Sequence, residues 1–341
     1  MSRLPSRILP LLVLWLLVLV PTASPAAQVL KISTIVPAGT AFMQELRAAE
    51  EEIHRQTDGR VQLKLFPGGV MGSDRSVLRK IRIGQLHGAV ITAVGLQNLH
   101  PDTQVYSLPF TFRSYEEVEY VRARLDPEIR DRVARAGFVL GGLAEGGFTY
   151  LFSKQPIRTL EDLRDKRMWS PEGDDVTRRM LERAGIKVVS LPVSDVYTSL
   201  QTGLVDVVTI NPSGAIGLQW HTGVNYQLDA PLLLLMAMLV FDDRALARLE
   251  PADREAVMKI FRETFERLDG INRRANREAQ EALRGLGIEL LQPARPPDER
   301  QWQKVADRAL QELAADGAFN SELYQRVKSL VAEYRSRTAA Q

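Results

Sequence analysis

The chain has 341 residues, 45% of them hydrophobic, 7% aromatic and 25% charged, with 44 Lys+Arg against 42 Asp+Glu and no cysteine. Lacking cysteine, it has no disulfide framework, no cysteine-ligated zinc or iron–sulfur site and no thiol nucleophile, and its length points to two hydrophobic cores in a globular protein. The apparent pI of 8.8 hints at nucleic acid or an anionic surface.

The first predicted element removes that hint. Arg3 and Arg7 precede the apolar run Ile8–Val20 and the small residues Thr22–Ala27, the pattern of a cleaved export signal over residues 1–26 with cutting after Ala26 or Ala27. The run is shorter than the ~18–20 residues that span a bilayer, and no cysteine follows it to carry a lipid. Without Arg3 and Arg7 the balance is 42 basic to 42 acidic residues, which leaves no net positive face for phosphates.

Val29–Val36 is β-branched and ends at Pro37-Ala38-Gly39, predicting a strand and a loop. Thr40 caps a helix with apolar positions Phe42, Leu46, Ala49 and Ile53, stopped by Asp58-Gly59. A strand over Val61–Phe66, a helix over Ser76–Ile83 and a strand over Ala89–Val94 follow, which is the opening of a doubly wound α/β lobe. Ligands of such lobes sit beyond the carboxyl ends of the strands. From near Leu151 the alternation repeats: a capped turn at Thr159–Leu163, strands at Met168–Ser170, Val188–Leu191 and Val205–Ile210, and helices at Asp174–Ala184 and Asp195–Gln201. Pro231–Phe241 is too short to cross a membrane and reads as a buried strand. Beyond Pro251, Val257, Ile260, Phe261, Thr264, Phe265, Leu268 and Ile271 mark a long amphipathic helix, and Leu323, Val327, Leu330, Val331 and Tyr334 a final one. This gives lobe I over 27–150, lobe II over 151–240, and a return to lobe I with the long helix and C-terminal helices over 241–341.

Chemical motifs are missing. His54, His87, His100 and His221 show no metal-ligand spacing, and no nucleophile elbow, P-loop or dinucleotide fingerprint occurs. Gly141–Gly147 is glycine-rich but runs into the strand Phe148–Phe152 rather than a helix N-terminus. Asp174-Asp175 reads as helix N-terminal charge and Asp242-Asp243 as a solvated turn. With no cofactor, no metal and no catalytic residue predicted, binding is the expected role, and a small molecule the expected ligand.

Several phrases then carry a resemblance: Phe66-Pro-Gly-Gly-Val-Met-Gly72 with Asp74-Arg75, Ile83-Gly-Gln-Leu-His-Gly-Ala89, Leu108-Pro-Phe110, and Leu200-Gln-Thr-Gly-Leu-Val-Asp206. In this order, over nearly the whole mature chain, they resemble the extracytoplasmic solute receptors of TRAP transporters, the DctP-type family. The resemblance implies a two-lobe periplasmic-binding-protein-like fold of class II type, with a hinge-spanning helix from Pro251. It also implies a periplasmic location, a monomer that closes on its ligand, and delivery to the small and large membrane subunits of a permease.

The chain departs from the family where the ligand should be held. Members carry an arginine two residues before a strand proline, where it clamps the ligand carboxylate; here Lys166-Arg167-Met168-Trp169-Ser170-Pro171 puts Trp169 in that place. Arg167 lies two residue rises away, about 7 Å. A second basic contact falls near Thr149, acidic or polar contacts near Ser73 and Thr92, and Asn211 keeps an amide. A carboxylate in a cleft needs a paired charge, so the expected ligand is neutral or partly apolar. Phe148, Tyr150, Trp169, Val193 and Trp220 are the expected walls, with Pro37 beside them; Thr92, Thr149, Tyr197 and Asn211 are the expected hydrogen-bonding groups. The bland reading is that Trp169, Phe148 and Trp220 fill core space. Alternatives are an organic acid held by a relocated Arg167 or Arg113, an exported enzyme using Glu145, Asp174 or His221, and a sensor that signals closure.

Overall fold

The computed structural model describes residues 27–339, so the export segment read at 1–26 lies outside the described residues. Strands and helices alternate from the start: β1 (Gln28–Thr34), α1 (Ala41–Gln56), β2 (Val61–Phe66), α2 (Asp74–Arg82) and β3 (Gly88–Thr92). Next come α3 (Tyr115–Arg135), β4 (Phe138–Ser153), β5 (Arg167–Pro171), α4 (Asp175–Arg183), β6 (Lys187–Leu191), α5 (Val193–Thr202), β7 (Val207–Ile210) and α6 (Pro212–Gly217). The chain ends with β8 (Tyr226–Leu228), β9 (Leu233–Asp242), α7 (Asp243–Leu246), α8 (Pro251–Gly285), β10 (Glu289–Leu291), α9 (Arg295–Ala315) and α10 (Ser321–Ala339).

The main path of strands runs β2-β1-β3-β9-β4-β7-β5-β6. β1 lies parallel between β2 and β3, and β5 pairs parallel with β6 and β7, the pairing that strand–helix–strand repeats produce. The two lobes are joined through β4. Its residues up to Thr149 pair antiparallel with β9, and Tyr150–Ser153 pair with β7. One 16-residue strand thus carries the hydrogen bonding of both lobes. Gly141–Gly147 lies inside this strand, and its small residues accommodate two bulges, at Leu140/Gly142 and Glu145/Gly147.

α1 forms as its sequence directs: Thr40 accepts the Met43 N–H at 3.3 Å, and Phe42, Leu46, Ala49 and Ile53 are buried. α8 buries Val257, Ile260, Phe261, Phe265 and Leu268 against lobe I, then turns a polar stripe that includes Asn272 and Asn276 toward β4. At 35 residues it is roughly 50 Å long, enough to lie along both lobes. Leu283 near its far end packs with Phe152, Trp169 and Trp220 in the lobe II cluster. Asp242 departs from the solvated-turn reading: it is buried, caps α7 by accepting the Arg244 N–H at 2.8 Å, and pairs with the Arg244 guanidinium at 2.6 Å.

Candidate functional site

The carboxyl ends of β1, β2 and β3 in lobe I face those of β5, β6 and β7 in lobe II. The lobe I rim is shaped by Gly68 and Gly69, at φ 70° and 73°. Two successive left-handed residues suit glycine alone, and they fold the loop back so that the Gly68 N–H reaches Val36 O and the Gly69 N–H reaches Thr34 O. At the rims of the facing loops the lobes approach each other at Gln97 and at Gly217. Gln97 Nε2 donates to Gly173 O. Gly217, at the end of α6, faces Pro37 and Thr40; a methyl there would stand 3.5 Å from Pro37 Cγ and 3.6 Å from Thr40 Cγ2.

On the lobe I wall, Ser73 is the N-cap of α2 without a side-chain cap bond, and Asp74 follows it. Thr92 Oγ1 accepts the Gly95 N–H at 2.9 Å, and its hydroxyl faces the Asp74 carboxyl and favours the charged form. The carboxylate lies directly over Gly95, where a Cβ would fall 1.8 Å from Asp74 Oδ2. Burial pushes the Asp74 pKa up to about 6 against the opposing effect of Thr92. Across the gap, beside Gly173, buried Asp174 is also pushed up to about 6 by burial, although it accepts the Thr177 N–H at 2.9 Å as N-cap of α4. Asp74 and Gln97 are not among the site residues expected from the sequence. An acidic group in the first turn of a helix has an ordinary explanation in the helix dipole, and only the close approach of Gly95 distinguishes this one.

On the lobe II side, Trp169 is buried in the core cluster behind the strand ends and is not an exposed cleft wall. Strand alternation turns Met168 to one face and Trp169 to the other, where the indole is 4% exposed, packs edge-on to Trp220 at 5.0 Å, and donates from Nε1 to Leu191 O at 3.0 Å. Val193, at the start of α5, is half-buried against this cluster, and Tyr197 is 40% exposed on the same helix. Trp220, 1% exposed, sits behind Trp169 with Val224, Leu283 and Ile288. It is a core residue that supports Trp169, not a cleft wall. Phe148 likewise turns into the large core, 5.0 Å from the Tyr115 ring. Thr149 is buried, and its hydroxyl is spent on Leu233 O at 3.4 Å. Tyr150 is half-buried between the two clusters, its hydroxyl pKa raised by burial and by Asp229.

Asn211 follows β7 at the N-cap position of α6 without a side-chain cap bond, its Nδ2 donating instead to Gly146 O at 2.7 Å and to Ser213 Oγ at 3.0 Å. The arginines considered as replacements are engaged elsewhere. Arg167, at the amino end of β5, forms a bidentate pair with Asp206 at 2.8 and 2.9 Å, and exposed Arg113 reaches Gln303 on α9. Glu145 is fully buried and held by Arg273 at 2.7 Å and Arg122 at 3.2 Å, a structural ion cluster at the bulge of β4. His221 Nδ1 lies 3.1 Å from Ala215 O. Among the described residues, no three His, Asp or Glu side chains gather to hold a metal ion.

A family model described as DctP, bacterial extracellular solute-binding protein, family 7, matches residues 32–316. The C4-dicarboxylate-binding periplasmic protein DctP of Rhodobacter capsulatus is 23% identical over 311 residues, covering 89% of this chain and 91% of that protein. Among solved structures, a TRAP periplasmic solute-binding protein from Citrobacter koseri with bound D-glucuronate superposes with a TM-score of 0.80 at 21% identity, covering 89% of this chain and 99% of that one. DctP7 of Bordetella pertussis, an extracytoplasmic solute receptor binding pyroglutamic acid, gives 0.82 at 20% identity, covering 90% and 100%.

Proposed function

Since the chain belongs to the DctP family of extracellular solute-binding proteins, we propose that it is a receptor of the TRAP type and that its ligand is a neutral or partly apolar small molecule. The ligand enters the cleft between the strand ends, the lobes close on it by bending at β4 and α8, and the closed receptor hands it to a membrane permease of one small and one large subunit. Export by the segment 1–26 delivers a monomer to the periplasm, and the cleft binds without turnover.

The observation that carries the ligand class is Trp169. The three relatives above are named for dicarboxylate, D-glucuronate and pyroglutamic acid, each with a carboxylate. Where the family resemblance places a clamping arginine, this chain has an indole packed into lobe II, its only polar atom already donating to Leu191 O. Desolvating a carboxylate there would cost several kcal/mol with nothing to offset it.

The competing reading, an organic acid on a relocated arginine, would have to break the Arg167–Asp206 pair. Thermal unfolding in the presence of succinate, D-glucuronate, pyroglutamate and a set of neutral compounds separates the two. A ligand at 100 times its dissociation constant adds about 2.7 kcal/mol of stability. Stabilisation by neutral compounds and none by the three acids is expected; strong stabilisation by an acid, lost in Arg167→Ala and kept in Trp169→Phe, would sink the proposal.

A further inference from the structure

We propose that Asn276 of α8, acting through Ser213, is a positioning residue for the cleft, fixing the Asn211 amide with its NH2 turned inward and Oδ1 as the atom left for a ligand. This rests on the cleft being the ligand site and adds what its α6 wall asks for: a hydroxyl or N–H donor.

The assignment follows from a hydrogen-bond inventory at the second bulge of β4. Asn276 Nδ2 donates to Gly146 O and to Asn272 O, both at 2.8 Å. Carbonyl oxygens only accept, so the orientation of this amide is fixed. Its Oδ1 then accepts from the Ser213 N–H at 3.2 Å and from the Ser213 hydroxyl at 3.0 Å. With its proton committed to Asn276, Ser213 Oγ is left as an acceptor, and Asn211 Nδ2 donates to it at 3.0 Å and to Gly146 O at 2.7 Å. Both lone pairs of Gly146 O are taken, both protons of each amide are used, and the Ser213 hydroxyl gives and receives once.

The one polar atom of the group without a partner among the described residues is Asn211 Oδ1. It is not a sealed orphan; the buried unpaired side-chain atoms are Ser107 Oγ and Ser170 Oγ. Oδ1 lies over Gly214 in the first turn of α6, where a Cβ would fall 2.4 Å away, so glycine at 214 is what lets Oδ1 occupy this position. Turning the Asn211 amide over would press Oδ1 against Gly146 O and pull the Ser213 proton away from Asn276, losing two hydrogen bonds at once. A carboxylate or carbonyl brought to Oδ1 meets lone pair with lone pair, whereas a hydroxyl or N–H meets an acceptor.

The exchange of the Asn211 side-chain amide protons with solvent tests this in ligand-free protein labelled with ¹⁵N on asparagine, the resonance being identified by its loss in Asn211→Ala. Exchange at least about tenfold slower than that of a free side-chain amide is expected. Ser213→Ala should return one proton to fast exchange, and Ser213→Thr, which keeps the hydroxyl, should preserve the protection; packing alone would not follow the hydroxyl in this way. Asn276→Ala should act like Ser213→Ala, and if it does not fold, the Ser213 pair carries the test. Fast exchange in the unaltered protein, or no response to Ser213→Ala, would overturn the positioning role. Tight binding of D-glucuronate with Asn211 still protected would overturn the neutral-ligand reading and leave the positioning role standing.

Discussion

Trp169 shows how far one residue can be read from sequence. The loss of a guanidinium is legible in the heptapeptide before Gly173, because a clamp needs a charge and tryptophan has none. The direction of the side chain is not legible, since alternation along a strand does not say which face is core and which is cleft. With the indole enclosed by Trp220 and bonded to Leu191 O, Trp169→Ala should destabilise the ligand-free protein by about 3–5 kcal/mol in urea unfolding. A change below about 1 kcal/mol would return the ring to the cleft. Asp74 makes a second residue-scale prediction. Its pKa is raised from the 3.8 of an ordinary aspartate to about 6, so the folded state binds a proton more tightly than the unfolded one. The associated stability is full below about pH 3.8 and is lost as pH rises through about 6. Asp74→Asn should therefore stabilise the protein by about 1–3 kcal/mol at pH 8 and leave it nearly unchanged at pH 3.5, as measured by unfolding at the two pH values. His87 runs the other way. Its Nδ1 accepts the Lys31 N–H at 3.0 Å, and burial, with Lys31 and Arg248 nearby, lowers its pKa, so its contribution is present above pH 6.5 and fades as pH falls below that.

At the scale of elements, the short strands and capped helices of both lobes follow from period and punctuation. β2 begins and ends at Val61 and Phe66 as read, and α8 starts at Pro251. α3 and α9 are not read from the sequence. α3 contains Pro127, and its apolar face is sparse between charged residues; α9 begins at Arg295-Pro-Pro, which reads as a loop. The full extent of β4 is hidden by its own glycines, whose usefulness depends on what lies against them. Gly147 has φ 105°, and a Cβ there would fall 2.4 Å from Asn276 Nδ2. Conformation and space both exclude a side chain, so Gly147→Ala should cost at least about 2 kcal/mol of stability and displace the Asn276 group from the bulge. Wild-type stability in Gly147→Ala would mean that β4 and α8 are not held together at this bulge.

For the whole molecule, the sequence conveys a two-lobe receptor and an unusual cleft. What it does not convey are contacts made between residues far apart in the chain: Gln97 with Gly173, Gly217 with Pro37, Asn211 with Gly146, and Ser213 with Asn276. These become visible only once the lobes face each other. Gln97→Ala removes a hydrogen bond between the lobes and should speed ligand release several-fold with little change in the association rate, as read by stopped-flow. The central claim is that the cleft takes a ligand without a carboxylate, and its most direct test is accurate mass measurement of the compound released on denaturing the receptor purified from its native host. A neutral compound that carries a hydroxyl or N–H donor is predicted. A carboxylic acid that rebinds to the protein, and no longer does so in Arg167→Ala, would contradict the claim.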